Sequence, residues 1–532
     1  MIYIRRFKYE YSDEQYADTD LTSQDLVEAE YVRVPGYEGN PDIEALPLPL
    51  FGRELLNAET EVPDILTKEG AYPAARTTAL RSLRIPLFNQ GLIDEQLYQG
   101  IVSSYAVRRY GKSRHQVRVV SENNEASVSI LSSSYGAAMV SGSAVIGMPG
   151  TGKSTAISMS EKRFPKAIRH RTDDGWYIQV PIIRTTAYSC SNLSSLFQSF
   201  ARRLDEILDT GRCHIESLPS TNVGRMCGCV IDWIQRYHIG AWIIEEISFF
   251  SFAPGSSKSF ENVVTIMSET GVFIMATGNP DIYDKIHRNL RIERRILGSF
   301  IDMDEVSQDK SYMLSLTRKI WIAYMLPELA ETYSNDIFEI IYKWTLGSID
   351  MITLLLCAVQ TAWLRARRKN KQALPSEIIT AETVEDLAEK NLSRMRKLFK
   401  DGRVKSVTEY RELRNKLDGM YQDGANEEIQ KKAEMKALIT EDIESGFDHA
   451  TKLHMVKSAV SDMFDYTDKQ IEAAFCYCEK HTPDFKKLSD KQMKRAVLGR
   501  LESRRKQKNT ADKAKAQQNT SEMLADLQEV MG

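Results

Sequence analysis

The residues with the clearest chemical purpose form one run, Gly-Met-Pro-Gly-Thr-Gly-Lys-Ser-Thr, over residues 147–155. The run fits the pattern G-x-x-x-x-G-K-[ST] at every fixed position. Glycines let backbone N–H groups turn inward around phosphates, and a helix starting near Lys153 adds its positive end. Lys153 supplies a charge for the β- and γ-phosphates, and Ser154 offers a hydroxyl to Mg²⁺. We therefore predict an ATP and Mg²⁺ site formed by Gly147, Met148, Pro149, Gly150, Thr151, Gly152, Lys153, Ser154 and Thr155.

A second group of candidates ends a short apolar run, Ala-Trp-Ile-Ile-Glu-Glu, over residues 241–246. Four apolar residues indicate a buried strand, and the two carboxylates stand at its carboxyl end, where α/β sheets bind ligands. We expect Glu245 to reach Mg²⁺ together with Ser154, and Glu246 to orient and polarise the attacking water. The first acid of such a strand is commonly Asp. The longer Glu245 alters the metal geometry, so hydrolysis is expected to be slow.

Two further groups could act on the γ-phosphate. Asn279 follows the next apolar run, Val272 to Thr277, and is the first candidate for a polar sensor, with Thr277 second. An ordinary turn Asn before Pro280 is the alternative. Four arginines then follow within eight residues, and they could reach a neighbouring subunit's γ-phosphate as arginine fingers or lie on a salt-bridged surface helix. Arg294 and Arg295 are the preferred candidates, ahead of Arg288 and Arg291.

These residues need a scaffold that gathers strand ends at one edge, and the chain alternates strand and helix patterns in the required way. Apolar runs predict strands at 137–146, 176–184, 241–247, 272–277 and 299–303. Helical patterns lie between them, at 193–208 and 260–268. Such alternation predicts an α/β fold with a doubly wound, parallel, five-stranded sheet.

The flanking regions have different patterns. Residues 1–70 are acidic and proline-punctuated and predict extended arms with few helices, and 119–136 predict a loop. Apolar residues spaced from Leu92 to Tyr105 predict a helix before the sheet. After it, 311–370 predict apolar-faced helices and 380–480 predict charged helices. Residues 486–518 predict disorder, followed by a short amphipathic helix over 523–531.

Composition and charge narrow the class of protein. The chain has 532 residues, a net charge of −3 and seven cysteines, an odd number that favours reduced thiols in a cytosol. Without a run of about 18 apolar residues, we predict no membrane span. Charge is segregated: residues 1–70 carry 6 basic and 16 acidic residues, whereas 71–118 carry 8 and 2, and 481–518 carry 12 and 4. The basic blocks leave a nucleic-acid role open.

The order of phosphate-binding loop, acid strand, polar sensor, arginine cluster and helical region resembles an AAA+ ATPase. More narrowly, the chain resembles the TnsC type, ATP-dependent regulators of target choice in transposons with a TnsA/TnsB transposase. Asn40 to Pro47 is similar to that family's N-P-x-I-E-A-L-P element. Arg84-Ile85-Pro86 with Phe88, then Arg108 to Gly111, resembles its region before the loop.

The resemblance covers roughly residues 40–400 and includes two departures at the site. Glu245-Glu246-Ile247 and Gly278-Asn279-Pro280 stand for the family's D-E-I and G-T-P. Many AAA+ lids also carry a sensing Arg after a Gly, and no Arg lies between Gly347 and Met351.

The resemblance implies a homo-oligomer, a ring or helical filament on duplex DNA, that links a target-selector protein to transposase subunits in the bacterial, nucleoid-associated cytoplasm. Hydrolysis of ATP would be assembly-dependent. It implies an N-terminal extension over 1–120, an AAA+ core over 121–305, a helical lid over 306–400 and a transposase-contacting region over 401–532. Backbone contacts with DNA would come from Lys166, Arg169, Arg171 and Arg184, or from Arg108, Arg109, Lys112 and Arg114.

Two rival functions share the core motifs. A clamp-loader or helicase-loader ATPase would bind a replication protein and would not need the element at 40–47. A non-hydrolysing scaffold would use ATP only as a structural ligand, which Glu245 and the missing lid Arg favour. Measured ATP turnover, with and without DNA, separates the scaffold from the regulator.

Overall fold

The computed structural model describes residues 26–68, 70–111, 130–133, 141–172, 175–187, 193–211, 213, 223–250, 260–282, 292, 295–296, 299–409, 429–439, 456, 466–482, 485 and 493–503. The strands are β1 (Leu26–Glu28), β2 (Arg108–Gly111), β3 (Ile130–Ser133), β4 (Ser143–Ile146), β5 (Ala167–Thr172), β6 (Gly175–Gln179), β7 (Ile182–Thr186), β8 (Ala241–Glu245), β9 (Phe273–Gly278) and β10 (Ser299–Asp302).

The helices up to the end of the sheet are α1 (Pro41–Glu44), α2 (Gly52–Glu59), α3 (Asp64–Thr67), α4 (Pro73–Ala79), α5 (Gln90–Ala106), α6 (Lys153–Glu161), α7 (Leu193–Leu208), α8 (Val223–Arg236) and α9 (Glu261–Thr270). Those that follow are α10 (Asp304–Gln308), α11 (Lys310–Lys319), α12 (Asn335–Thr345), α13 (Ile349–Lys369), α14 (Pro375–Ile378), α15 (Ala381–Glu409), α16 (429–439), α17 (Asp468–His481) and α18 (493–503).

The central sheet has five strands in the order β10-β4-β9-β8-β7, and all of its pairings are parallel. Strands β4, β8 and β9 are buried along their whole length, which explains why their sequences are continuous apolar runs. Helix α5 packs against β8 and β9, α7 packs against β7, and α8 packs against α7 and α9. This is the predicted doubly wound α/β architecture, and it places the ends of β4, β8 and β9 side by side at one edge.

A second, three-stranded sheet joins the N-terminal extension to the core. Strand β1 pairs in parallel with β5, which pairs with β6 in an antiparallel hairpin. The extension continues through three short helices, α1 to α3, so the expectation of arms with few helices is correct only in part. The extension is therefore part of the folded unit from residue 26 onward.

The helices after the sheet form a lid against the core. Helix α13 is long and apolar enough to cross a membrane by length and composition. However, its side chains Met351, Leu355, Val359 and Trp363 are buried, and the helix packs against α4, α12 and α15. Helix α13 is thus the central helix of the bundle that it forms with α4, α12 and α15.

Helix α16 folds back onto the helices α5 and α10. Its Lys431 bonds with Glu95 of α5 at 2.7 Å, and its Lys432 bonds with Glu305 of α10 at 2.7 Å. Met435 and Ile439 are buried at the same interface. Within the charged region after residue 400, the described helix α16 thus contacts α5 and α10.

Three expectations are corrected by the fold. The predicted strand at 176–184 is two strands, β6 and β7, in different sheets, because the chain turns at Val180-Pro181. Ile130–Ser133 is a strand inside the predicted loop. Residues 493–503 are helical within the predicted disorder, and Met493, Val497 and Leu501 pack with Phe475 of α17. The amphipathic helix predicted at 523–531 lies outside the described residues.

Candidate active site

The loop between β4 and α6 has the backbone that phosphate binding requires. Gly150 and Gly152 adopt left-handed conformations, with φ of 82° and 94°. At Gly147 a side chain would collide with Met303, since an added Cβ would lie 2.9 Å from the Met303 Cβ. Thr151 closes the turn by donating its hydroxyl to the Met148 carbonyl at 2.8 Å. Glycine is therefore required at 150 and 152 by the backbone conformation, and at 147 by the close approach of Met303.

Lys153 lies inside this loop. Its ammonium donates to the carbonyl oxygens of Gly147 at 2.7 Å and Met148 at 3.1 Å, and its side chain is almost fully buried. Burial lowers the pKa of Lys153, and the carboxylates of Glu246, Asp304 and Glu245 act in the opposite direction. The positive charge is thus held where the β- and γ-phosphates of a nucleotide would lie.

The acid strand ends where the sequence predicts. Glu245 is the last residue of β8, and its carboxylate accepts hydrogen bonds from the Ser154 hydroxyl and from Arg184. Burial raises the pKa of Glu245, but the bonds from Arg184, Ser154 and Thr186 outweigh burial and hold that pKa below its ordinary value. Glu245 and Ser154, the two predicted metal ligands, are therefore adjacent, and the carboxylate is ionised.

Glu246 has an unusual backbone. Its φ of 58° is left-handed, which a non-glycine residue adopts at some energetic cost. The conformation is held by the Glu246 N–H, which donates to the Thr277 hydroxyl at 3.1 Å. Its side chain borders the same cavity as the loop. The strained turn places the Glu246 side chain at the cavity. A residue that orients the attacking water has to lie there.

Both sensor candidates lie at this edge. The side-chain oxygen of Asn279 is 3.5 Å from the Lys153 ammonium, and the Asn279 N–H donates to the Ser248 hydroxyl at 3.1 Å. Thr277 instead supports the backbone of Glu246. Asn279 is thus placed to contact a phosphate next to Lys153, and Thr277 has a supporting role.

A cavity of about 450 Å³ opens beside the loop. Its apolar side is formed by Leu83, Ile85 and Leu87 of the N-terminal extension and by Ile349 of the lid, which suits a nucleobase. Its polar end contains Lys153, Ser154 and Glu246. The wall at 83–87 includes the Arg84-Ile85-Pro86 run, which the sequence identified only through the family resemblance.

Two contacts around the loop were not predicted. Asp304 accepts a hydrogen bond from the Met148 N–H at 2.8 Å and so holds the loop from the β10 side. Gly150 accepts bonds at its carbonyl from the Ser348 hydroxyl at 3.2 Å and the Asp350 N–H at 3.3 Å. The lid is therefore bonded directly to the loop. The sequence signal for Asp304 was the acidic spacing Asp302-Met303-Asp304 at the end of the fifth strand.

Of the four candidate arginine fingers, the structure describes Arg295. Arg295 lies next to the amino end of β4, where its carbonyl accepts from the Gly142 N–H, while the loop leaves the carboxyl end of the same strand. The backbone of Arg295 is thus a strand length from its own loop, roughly 13 Å for four residues. Arg294, Arg288 and Arg291 lie outside the described residues.

The basic residues predicted to contact DNA are not equivalent. Arg169 is 1% exposed and forms an ion pair with Glu28, and Arg184 bonds with Glu161 and Glu245 at 2.9 Å each. Both guanidinium groups are engaged inside the protein, so the structure does not place them on a DNA-facing surface. Lys166 is exposed, and Arg171 is 68% exposed beside Glu28.

Arg108 of the second predicted group is likewise buried and bonds with Ser104 at 2.7 Å. Lys112 and Arg114 of that group lie outside the described residues.

Residues 141–286 match the family model described as "AAA domain". No curated protein matches the chain. The matched range contains the loop, the acid strand and Asn279, and the five-stranded parallel sheet agrees with it. The chain therefore carries an AAA-type P-loop ATPase domain.

ATP and Mg²⁺ fit the residues present. The loop backbone and Lys153 would hold the phosphates, and Ser154 with Glu245 would hold the metal ion, since hydroxyl and carboxylate oxygens suit Mg²⁺. The ion would supply positive charge for phosphoryl transfer. Glu246 would orient and deprotonate the water, and Asn279 and Lys153 would stabilise charge on the γ-phosphate.

Proposed function

We propose that this protein is an ATP-dependent, DNA-binding regulator that forms homo-oligomers on duplex target DNA. In this proposal it couples a target-selector protein to transposase subunits during transposition in the bacterial cytoplasm, close to the nucleoid. The ATPase site supports the ATP dependence in this proposal. The role as a transposition regulator rests on the element at 40–47 and on its contacts with the ATPase domain.

That element is anchored at its first residues. Asn40 caps α1 by accepting from the Ile43 N–H at 3.3 Å and donates to the carbonyl of Tyr105 in α5. Asp42 is fully buried, and its carboxylate accepts from Tyr177 at 3.0 Å and lies 2.8 Å from the His238 ring nitrogen. Since His238 lies three residues before the first residue of the acid strand, the element contacts the framework of the ATPase site, which a loader ATPase would not require.

DNA contact in this proposal uses the exposed cations near β5. Lys166 and Arg171 are the predicted residues of that set whose side chains reach the surface. Such contacts with phosphates do not depend on base sequence and weaken as salt rises.

A non-hydrolysing, ATP-bound scaffold is the second candidate, and one observation favours it. The lid residue that lines the cavity at the position after Ile349 is Asp350, not an arginine. An acidic lid residue cannot neutralise a γ-phosphate. ATP turnover decides between the two: the regulator hydrolyses ATP faster with duplex DNA, whereas the scaffold shows no turnover in either condition.

Electron micrographs of the protein with ATP and duplex DNA test assembly directly. We expect rings or helical filaments along the DNA with ATP, and none with the nucleotide omitted. Particles that remain monomeric on DNA with ATP would contradict the proposal.

We expect Glu246→Gln to bind ATP but to lose turnover by about 100-fold or more, because the amide cannot accept the proton of the attacking water. The backbone bond to Thr277 does not involve the carboxylate, so the turn is retained. Assemblies on DNA should then outlast wild type, measured by phosphate release and by dissociation from labelled DNA. Glu206→Gln, at an exposed acid, is the control. Normal turnover by Glu246→Gln would remove Glu246 from this role.

The extreme C-terminus is the proposed transposase contact, because a basic run precedes a short apolar helical pattern there. Deleting residues 521–532 should leave ATPase activity and DNA binding unchanged and should weaken recruitment of the transposase. A pull-down with transposase subunits measures this effect. Equal recovery with and without the segment would show that the terminus is not the contact.

A further inference from the structure

Arg184 occupies a position that joins three parts of the ATPase site. From the middle of β7, its guanidinium donates to Glu245 at 2.9 Å, to Glu161 at 2.9 Å and to the main-chain oxygen of Ser154 at 3.1 Å. These partners are the end of the acid strand, the end of α6 and the first turn of α6. A single side chain therefore ties the predicted metal-binding carboxylate to the residue that bears the predicted metal-binding hydroxyl.

The one arginine and two glutamates of this group carry a net charge of −1. The side chains of Arg184, Glu161 and Glu245 are 17%, 22% and 11% exposed. Because Glu161 also pairs with Arg184, it offsets the positive charge of the guanidinium. The negative charge of Glu245 is therefore left to attract a metal ion, and Arg184 constrains where that charge lies.

The Arg184–Glu245 ion pair also gives a reason for glutamate, in place of the more common aspartate, at position 245. In the β7–β8 register, Thr186 lies opposite Glu245 and Arg184 lies opposite Ile243, so Arg184 and Glu245 share one face. Glutamate has one more rotatable bond than aspartate, and fixing that bond costs entropy unless a partner holds it. A bond from a planar guanidinium supplies such a constraint.

We propose that Arg184 is a positioning residue for the metal ion of MgATP, acting by fixing the carboxylate of Glu245 beside Ser154. The inference rests on the proposed nucleotide function and adds a residue outside the loop and the acid strand. Arg184 acts through Glu245 and does not itself contact the nucleotide.

The test separates the gain in ATP affinity that Mg²⁺ provides from the affinity for ATP without the metal. ATP affinity of the full-length protein is measured by calorimetry with Mg²⁺ and with EDTA. We expect Arg184→Ala to reduce the gain in affinity due to Mg²⁺ by about tenfold, as is typical when a residue supporting a metal ligand is removed. Affinity in EDTA should remain at the wild-type value, because the loop and Lys153 are unchanged. Arg184→Lys should recover part of the gain, since one ammonium cannot reach all three partners.

Controls distinguish this role from others. Arg203→Ala removes another arginine near Glu161, at 4.0 Å, and should leave the Mg²⁺-dependent gain intact. In a Glu245→Gln background, Arg184→Ala should have no further effect on that gain. Thermal unfolding identifies the temperature range in which each variant is folded.

Two results would overturn the inference. The first is an unchanged Mg²⁺-dependent gain in Arg184→Ala; if affinity fell equally in both buffers, Arg184 would contact the phosphates directly. The second is an additive loss of the gain when Arg184→Ala is combined with Glu245→Gln, which would show that Arg184 does not act through Glu245. Wild-type protein that binds no ATP in either buffer would contradict the proposed function itself, and the inference with it.

Discussion

Lys153→Ala should raise the dissociation constant for ATP by about 100-fold, equivalent to roughly 3 kcal/mol. The ammonium is buried in the loop, and its bonds with the Gly147 and Met148 carbonyls place its charge at the phosphate position. Alanine removes both the charge and the side chain that fills the loop. Calorimetry with ATP and with ADP measures the loss, which should be similar for both because Lys153 contacts the β-phosphate as well.

A control at the carboxyl end of the same helix separates this local effect from a general one. Lys162 follows the last residue of α6 and bonds with Glu61 at the surface. Lys162→Ala therefore removes an equivalent side chain away from the cavity and should leave nucleotide affinity unchanged. Wild-type affinity in Lys153→Ala, with a normal unfolding transition, would contradict the P-loop assignment.

The site was predictable where the chemistry is local in sequence. The loop, Glu246 and Asn279 directly follow buried strands, and Glu245 is the last residue of one. Because buried parallel strands are predominantly apolar, their ends can be located from the residues alone. Topology then requires these ends to meet at one edge. The structure places Asn279 within 3.5 Å of Lys153, although 126 positions separate them.

The contacts that depend on distant partners could not be predicted. Arg184 was interpreted as a surface cation because its partner Glu245 is 61 positions away, and nothing in the local pattern links them. Asp42 similarly gave no sign of burial, since its partners Tyr177 and His238 belong to β6 and the turn before β8. Long-range ion pairs and buried hydrogen bonds of this kind have no sequence period.

Two other incorrect predictions, the single strand at 176–184 and the disorder at 493–503, could have been avoided from patterns in the sequence. Pro181 interrupts the apolar run at 176–184, and proline is disfavoured within a central strand, so the run could have been divided into two strands. In the C-terminal region, Met493, Val497 and Leu501 recur every four residues, which is the spacing of an apolar helix face. The high local charge outweighed this pattern in the prediction of disorder.

The largest effect on turnover is expected from the arginine cluster. Replacing Arg294 and Arg295 by Ala should lower ATP turnover by about a thousandfold, because an arginine supplied from a neighbouring subunit stabilises transition-state charge. ATP binding should stay within a few-fold of wild type. The backbone of Arg295 lies at the amino end of β4, away from the loop of its own chain, which supports action on a neighbour.

Two measurements accompany this variant. The wild-type rate per subunit should rise with protein concentration if a neighbour completes the site. Replacing Arg202 and Arg203, two adjacent arginines on α7, is the matched control and should leave turnover unchanged.

Mixing variants tests the arrangement most sharply. The Arg294→Ala/Arg295→Ala protein retains an intact pocket, and Lys153→Ala protein retains intact arginines, so a mixed assembly contains interfaces with both. In a random equal mixture about a quarter of the interfaces pair an intact pocket with intact arginines, and turnover should recover to about that fraction of wild type. A site completed within one chain gives no recovery at any ratio. If the mixture stays inactive while each variant still assembles on DNA with ATP, the arginines act within one chain or are other residues, and Arg288 and Arg291 become the candidates to replace next.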